Sequence, residues 1–146
     1  MQAVLDKFQP RFIPKGRILW TNETSEKTGP ISRGDFSELG LPSAVRNEFP
    51  NVAIQDRTRR LLVLVDIARL RGLITTRRRE TLELLFSGRE FQLILVNAFA
   101  SRREFQGLFV ELPWQTYAWF ANEPKHVIYF SGACSQLETG RKPVLR

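Results

Sequence analysis

The sequence has 146 residues, one cysteine and a formal net charge of +7, a length typical of one domain. Hydrophobic residues make up 42% and aromatic residues 11%, which excludes a disordered chain. One cysteine with one histidine excludes an internal disulfide and a Cys/His zinc site. The single cysteine indicates a reducing or neutral environment, which fits a cytoplasmic location. No apolar stretch approaches the about 20 residues that cross a bilayer, so we expect no membrane partner. The basic balance predicts an anionic partner, most often nucleic acid; the alternative is a soluble protein that happens to be basic.

The first 50 residues are predicted to form a helix, a short strand and a turn-rich segment. Apolar spacing predicts a helix within residues 1–16 that ends near Pro10 and Pro14. A short strand is expected from Arg17 to Thr21. Residues 22–50 are mixed in composition and rich in turn-forming residues.

Two strands then flank a polar turn. Residues 51–55 and 61–68 have strand character, and the continuous hydrophobicity of the second indicates that both of its faces are covered. The polar segment 56–60 joins them. We expect the two strands to pair as an antiparallel hairpin, which would bring Asn51 close to Asp66.

The second half alternates helices with strands. Its predicted elements are a helix over 75–86, a strand over 91–97, a helix that begins at the capping box of Ser101 and Glu104 and ends before Pro113, and strands over 116–120 and 127–130. This order predicts an α/β fold with a mixed central sheet flanked by helices. We expect one domain over residues 1–132 and a basic, flexible tail over 133–146.

The segment LLVLVDIARLRGLITTRRRE, residues 61–80, places one carboxylate at the end of an apolar strand. A carboxylate removed from water is costly unless it is paired. Three partners would serve Asp66: an arginine, backbone amides, or a divalent metal ion with oxygen ligands. A salt bridge to Arg69 or Arg71 is the structural alternative to a metal site.

Arginines cluster where the next helix is expected to begin. Arg77, Arg78 and Arg79 fall in its first turn, where the positive end of the helix dipole disfavours cations. An external anion such as phosphate would remove that conflict, and Arg69 and Arg71 lie on the approach. A solvated charged turn is the alternative. A metal ion beside a phosphodiester would indicate hydrolysis.

Five segments of the chain resemble, in the same order, the C-terminal domain of the BsuBI/PstI-type restriction endonucleases over about residues 8–132. The segments are FQPRFIPKGRILWTNETSEK, FPNVAIQD, LLVLVDIARLRGLI, LILVNAFASRREF and LPWQTYAWFANEPKHVIYFSG. The resemblance implies a PD-(D/E)xK nuclease fold. It also implies Mg²⁺-dependent cleavage of double-stranded DNA, with Mn²⁺ as an alternative ion and no nucleotide cofactor. The family's enzymes carry a further domain ahead of this one. If that domain contributes to recognition of the DNA sequence, this chain would bind DNA with lower sequence specificity.

The resemblance also implies the catalytic and metal-binding residues, namely Asp66, Asn51 and Glu23. The chain departs from the family there. Asn51 stands at the first acidic position, where an uncharged amide would lower metal affinity, and Asp66 replaces the usual Glu. Glu23 takes the place of an Asp and Arg71 the place of a His. Asp56 is a further acid that would be available to a rearranged site.

Three hypotheses follow from these residues. The first is a metal-dependent DNA endonuclease whose DNA backbone is held by Arg69, Arg71, Arg77, Arg78 and Arg79; a palindromic cutter of this kind usually works as a homodimer. The second is a catalytically impaired homologue that binds DNA or a protein partner without cutting. The third is a protein-interaction module that has lost its DNA role.

Overall fold

A computed structural model describes residues 1–25, 29–33, 39–42, 45, 49–70, 72–133 and 137, with the side chains of 23–25 and 29–33 outside that description. Arg71 and, except for two residues, the tail predicted over 133–146 therefore lie outside the described residues. Among the described residues, no helix is both long enough and apolar enough to span a membrane.

The described chain folds around one seven-stranded sheet, with strand order β2-β1-β3-β4-β5-β6-β7. The strands are β1 (Arg17–Ser25), β2 (Gly29–Arg33), β3 (Val52–Asp56), β4 (Leu61–Ile67), β5 (Gln92–Phe99), β6 (Tyr117–Phe120) and β7 (Val127–Tyr129). β5 is parallel to both β4 and β6, and the other neighbours are antiparallel. The sheet is therefore mixed, as predicted.

The hairpin of β3 and β4 is confirmed and forms the centre of the sheet. Its register runs from Asp56 opposite Leu61 at the turn to Val52 opposite Val65 at the open end. Leu62 to Asp66 are all buried, so both faces of β4 are covered, as its unbroken apolar run predicted.

Helices cover the two faces of the sheet. The N-terminal helix α1 combines a π-helical segment, Val4–Phe8, with α-helical residues Gln9–Phe12, and it packs on the face that carries Val52, Val65 and Trp119. Helix α2 (Thr76–Leu85) packs on the opposite face, as does helix α3 (Arg102–Leu108), which continues into a 3₁₀ turn, Phe109–Glu111.

Both predicted helix starts in the second half are confirmed. Thr75 caps α2, and its hydroxyl accepts a hydrogen bond from the Arg78 backbone N–H. Ser101 caps α3 by accepting from the Glu104 backbone N–H, and the Glu104 carboxylate accepts in return from the Ala100 N–H. The second bond reaches one residue further back than the usual capping box does.

The N-terminal helix ends as predicted, but the strands that follow it differ from their predictions. Helix α1 ends at Phe12, between Pro10 and Pro14, and it includes Pro10 because this residue lies in the first turn of the α-helical segment, where proline's missing N–H is tolerated. β1 extends to Ser25, and β2 was not predicted at all. β2 lies at the edge of the sheet, which is where a strand tolerates a proline such as Pro30.

Candidate functional site

Asp66 lies near the end of β4, between β3 and β5, and is 0% exposed. Leu62 and Leu64 pack in the core beneath α2. Because side chains alternate along a strand, Asp66 shares their face and points towards α2. A carboxylate in such a place needs a cationic or hydrogen-bonding partner within the protein.

Arg78 supplies that partner. Its Nη1 atom donates to Asp66 Oδ2, forming an ion pair between the first turn of α2 and the end of β4. The same Nη1 atom donates to the Leu73 carbonyl oxygen at 2.7 Å, so the guanidinium is fixed from two sides. The structural alternative to a metal site was a salt bridge from Asp66 to Arg69 or Arg71; Arg69 instead donates to Glu104, and Arg71 lies outside the described residues. Arg78 reaches Asp66 because α2 begins directly over the strand end.

Asn51 ties three strands together. Its Nδ2 atom donates to the Asn22 carbonyl oxygen at 2.9 Å, and its Oδ1 atom accepts from the Ile67 backbone N–H at 2.9 Å. The side chain therefore links β1 to the end of β4, and Asn51 is 1% exposed. The predicted proximity of Asn51 and Asp66 is confirmed. The bonds that Asn51 makes are structural ones, to backbone groups.

Asn97 is a buried polar residue that the sequence analysis missed. It stands opposite Asp66 in the parallel register of β4 and β5 and is 0% exposed. Its Oδ1 atom accepts from the Ile74 N–H at 2.8 Å, and its Nδ2 atom donates to the Ile74 carbonyl oxygen at 3.3 Å. It thereby fixes the residue before the Thr75 cap and sets where α2 begins. A polar residue within an apolar run, as in LLVLVD and LILVN, is the signal that marks both positions.

The remaining arginines at this end have different surroundings. Arg69 donates from Nε to Glu104 Oε2 at 2.7 Å, while its side chain stays 73% exposed. Arg77 is exposed. Arg79 is held against the protein, with its Nη1 atom donating to the Trp114 carbonyl oxygen at 2.8 Å. Arg69 and Arg77 thus both present positive charge to solvent.

The two other acids proposed from the sequence differ in placement. The backbone of Glu23 lies in β1 just beyond the residues that pair with β3, at the same end of the sheet as Asp66; its side chain is outside the described part. Asp56 lies at the opposite end of the hairpin, about 17 Å away for five residues of strand. Its carboxylate accepts hydrogen bonds from Thr58 and Arg59. The suggestion that Asp56 helps this site is therefore wrong, because the hairpin turn holds it elsewhere.

Comparison with known proteins assigns the chain to a family. The model of the BsuBI/PstI restriction endonuclease domain matches residues 1–133. The chain belongs to that family. It is 29% identical over 132 residues to type II restriction enzyme BsuBI of Bacillus subtilis, which covers 90% of this chain and 42% of that protein. It is 31% identical over 83 residues to type II restriction enzyme AplI of Arthrospira platensis, covering 57% of this chain and 26% of that protein.

The fold is shared with a solved structure of the SdaI restriction endonuclease. The match has a TM-score of 0.78 and 28% identity, and it covers 99% of this chain and 44% of that one. This confirms the predicted restriction-endonuclease-like fold. The chain therefore spans less than half the length of the relatives it matches.

The described residues do not fit the divalent metal ion that the restriction endonuclease fold implies. Within the part of the chain that the structure describes, no three His, Cys, Asp or Glu side chains come together as a group that could hold a metal ion. The carboxylate at the strand end is ion-paired with Arg78, and the Asn51 amide oxygen already accepts a backbone hydrogen bond. A hard cation such as Mg²⁺ requires several oxygen ligands facing one point, and this arrangement offers Arg78 there instead.

Proposed function

We propose that this chain acts on double-stranded DNA as a restriction-endonuclease domain and hydrolyses phosphodiester bonds in a reaction that depends on Mg²⁺ or Mn²⁺. The observation that carries the proposal is the family match over residues 1–133. The chain covers less than half of its relatives. We propose that it cleaves DNA, that it uses a divalent metal ion, and that it works as a homodimer.

The charge at the Asp66 end of the sheet supports DNA as the partner. Arg69 and Arg77 are exposed there, and the chain carries a net charge of +7. Arginine binds phosphate oxygens through several N–H donors at once. We propose that Arg69, Arg71 and Arg77 bind the phosphates of the DNA backbone. In the described arrangement, Arg78 and Arg79 make contacts within the protein, so their use on DNA would require those contacts to change.

A second candidate function is DNA binding without cleavage. The observation that favours it is the ion pair of Asp66 with Arg78, together with the structural hydrogen bonds of Asn51. In this form the domain would bind DNA while the Asp66 carboxylate stays paired with Arg78 and an amide stands at position 51.

One experiment distinguishes the two candidates. Purified protein is incubated with supercoiled plasmid in Mg²⁺ and separately in Mn²⁺, beside Asp66→Asn, which changes the charge with almost no change of shape. Nicked or linear plasmid with the wild type alone would support hydrolysis. Thermal unfolding of both proteins verifies that the variant is folded.

The same proteins are then mixed with a short duplex in a gel-shift assay. Intact plasmid with a retarded duplex would support binding without cleavage. Arg77→Glu should weaken the retardation, while Arg57→Glu, at the exposed turn at the far end of the hairpin, should change it little. Intact plasmid and no retardation would contradict both candidates and leave a protein-interaction module as the reading to test.

A further inference from the structure

The carboxylate of Asp66 and the guanidinium of Arg78 are held together by parts of the fold that are far apart in sequence. Asp66 is carried by the central strand β4, and Arg78 by the first turn of α2. Twelve residues separate them along the chain. The ion pair therefore depends on the position of α2 on the sheet.

Three contacts fix the position of the N-terminal end of α2. Asn97 holds both backbone groups of Ile74, Thr75 caps the helix, and the Leu73 carbonyl oxygen accepts from the Arg78 guanidinium at 2.7 Å. Because Asn97 is also the register neighbour of Asp66, the same pair of strands positions both the acid and the start of the helix. Arg78 is thus placed over Asp66 by the scaffold as well as by its charge.

An arginine and a divalent metal ion would compete for this carboxylate oxygen. The guanidinium has five N–H donors and no acceptor, and it stays protonated in proteins. It can therefore never act as a metal ligand. A divalent ion bound at Asp66 Oδ2 would lie within a few ångströms of the guanidinium, and the repulsion between the two cations would be strong in a site closed off from water.

We infer that the Arg78 guanidinium and a divalent metal ion exclude each other at Asp66, and that the chain without DNA holds Arg78 there in place of the metal. Arg78 also resolves the conflict between its own charge and the positive end of the α2 dipole, because the buried carboxylate neutralises it. The inference deepens the proposed function, on which it depends for the identity of the competing ion. The ion pair itself does not depend on it.

Metal binding to the DNA-free protein tests the inference. Metal-stripped wild type, Arg78→Gln, Arg77→Gln and the double variant Asp66→Asn/Arg78→Gln are titrated with Mn²⁺ by calorimetry and by the electron paramagnetic resonance of free Mn²⁺. Arg77→Gln is the matched control, since it removes an exposed arginine from the same turn. Arg78→Gln should bind Mn²⁺ at least about tenfold more tightly than the wild type, since a competitor that occupies nine-tenths of a site weakens apparent affinity by that factor.

The expected pattern has two further parts. Arg77→Gln should match the wild type, and the double variant should lose the affinity gained by Arg78→Gln. The single variant Asp66→Asn is titrated in the same way. A wild type that binds one Mn²⁺ tightly, with Asp66→Asn abolishing the binding, would overturn the inference. An Arg78→Gln protein that is folded and gains no affinity would overturn it as well.

A second measurement covers the case in which Arg78→Gln does not fold. In the double variant the amide introduced at position 66 lies opposite the amide introduced at position 78, so this pair contains no buried charge. We therefore expect the double variant to fold where the single variant does not. If it is as unstable as the single variant, the pairing is not what places Arg78, and the inference fails.

Gel shifts with a duplex are run in parallel. A wild type that retards DNA while it binds Mn²⁺ through Asp66 refutes only the inference. A wild type that neither retards nor cuts DNA refutes only the proposed function.

Discussion

Single side chains decide what the Asp66 end of the sheet can do. The family resemblance implies an acid at the position of Asn51, and on that basis the sequence predicted its amide to be a weaker metal ligand. The structure gives it a different role, since its amide both donates to the Asn22 carbonyl oxygen and accepts from the Ile67 N–H. A carboxylate has no N–H and could satisfy only the second of these bonds.

Restoring the family's acid at this position should therefore cost stability. Asn51→Asp removes the donor to Asn22 and places a carboxylate against a carbonyl oxygen in a site that is 1% exposed. We expect the free energy of unfolding in urea to fall by about 1–3 kcal/mol or more. The control is Asn122→Asp at an exposed turn, which should stay within about 0.5 kcal/mol of the wild type. Equal stability of Asn51→Asp and the wild type would show that the hydrogen bond from Asn51 to the Asn22 carbonyl oxygen contributes nothing to the free energy of unfolding.

At the scale of elements, the β3–β4 hairpin is the best-specified part of the molecule. Its two strands and its polar turn were all predicted from the sequence, and their antiparallel pairing is confirmed. Asp56 organises the turn: it accepts from the Thr58 hydroxyl at 2.6 Å and N–H at 3.0 Å, and from Arg59 Nε at 2.7 Å. The Thr58 hydrogen bond and then the Arg59 bond hold the pKa of this carboxyl far below its ordinary value of 3.8.

The hairpin turn should therefore make stability depend on pH. Because the pKa of Asp56 is depressed in the folded protein, its contribution is fully present above about pH 4 and is lost as pH falls below 3.8 towards the folded-state pKa. Asp56→Asn should be less stable than the wild type at pH 7, and the difference in urea midpoint should shrink towards pH 2. A difference that is the same at both pH values would assign the effect to geometry rather than to charge.

Helix α2 shows the limit of reasoning element by element. Its first turn carries three arginines, and the sequence alone favoured an external phosphate as their counter-charge. For Arg78 the structure supplies an internal one, the carboxylate of Asp66. Its neighbours Arg77 and Arg79 face solvent and the Trp114 carbonyl oxygen respectively. One turn of helix thus gives three consecutive arginines three different environments, because successive side chains point about 100° apart.

At the scale of the whole molecule, the net charge of +7 predicts DNA binding that is sensitive to salt. The logarithm of the association constant for a duplex should fall linearly with the logarithm of salt concentration, by about 0.9 for each phosphate contacted. Arg77→Ala should reduce the magnitude of that slope by about 0.9, and Arg57→Ala, at the far end of the hairpin, should leave it unchanged. Fluorescence anisotropy at several salt concentrations measures both; equal effects of the two variants would mean that binding is spread over the surface rather than centred on the Asp66 end.

The sequence by itself determined the class of fold, the central hairpin, the positions of α2 and α3 and the family. These depend on local signals, namely apolar runs, caps and turn residues, which act over a few neighbouring positions. The edge strand β2 escaped prediction because an edge strand has one unpaired side and little apolar pattern. The sequence also placed the end of helix α1 near Pro10 and Pro14, and the helix ends at Phe12 between them.

Only the tertiary structure decided the chemistry at the end of β4. Three features depend on contacts between residues 12 to 29 positions apart. They are the pairing of Arg78 with Asp66, the hydrogen bonds of Asn51, and the way in which Asn97 sets the start of α2. The sequence could show that a buried acid needs a partner and that arginines were nearby. It could not choose among them, because the choice depends on the direction in which a helix leaves the sheet, and that direction is set by packing across the whole core.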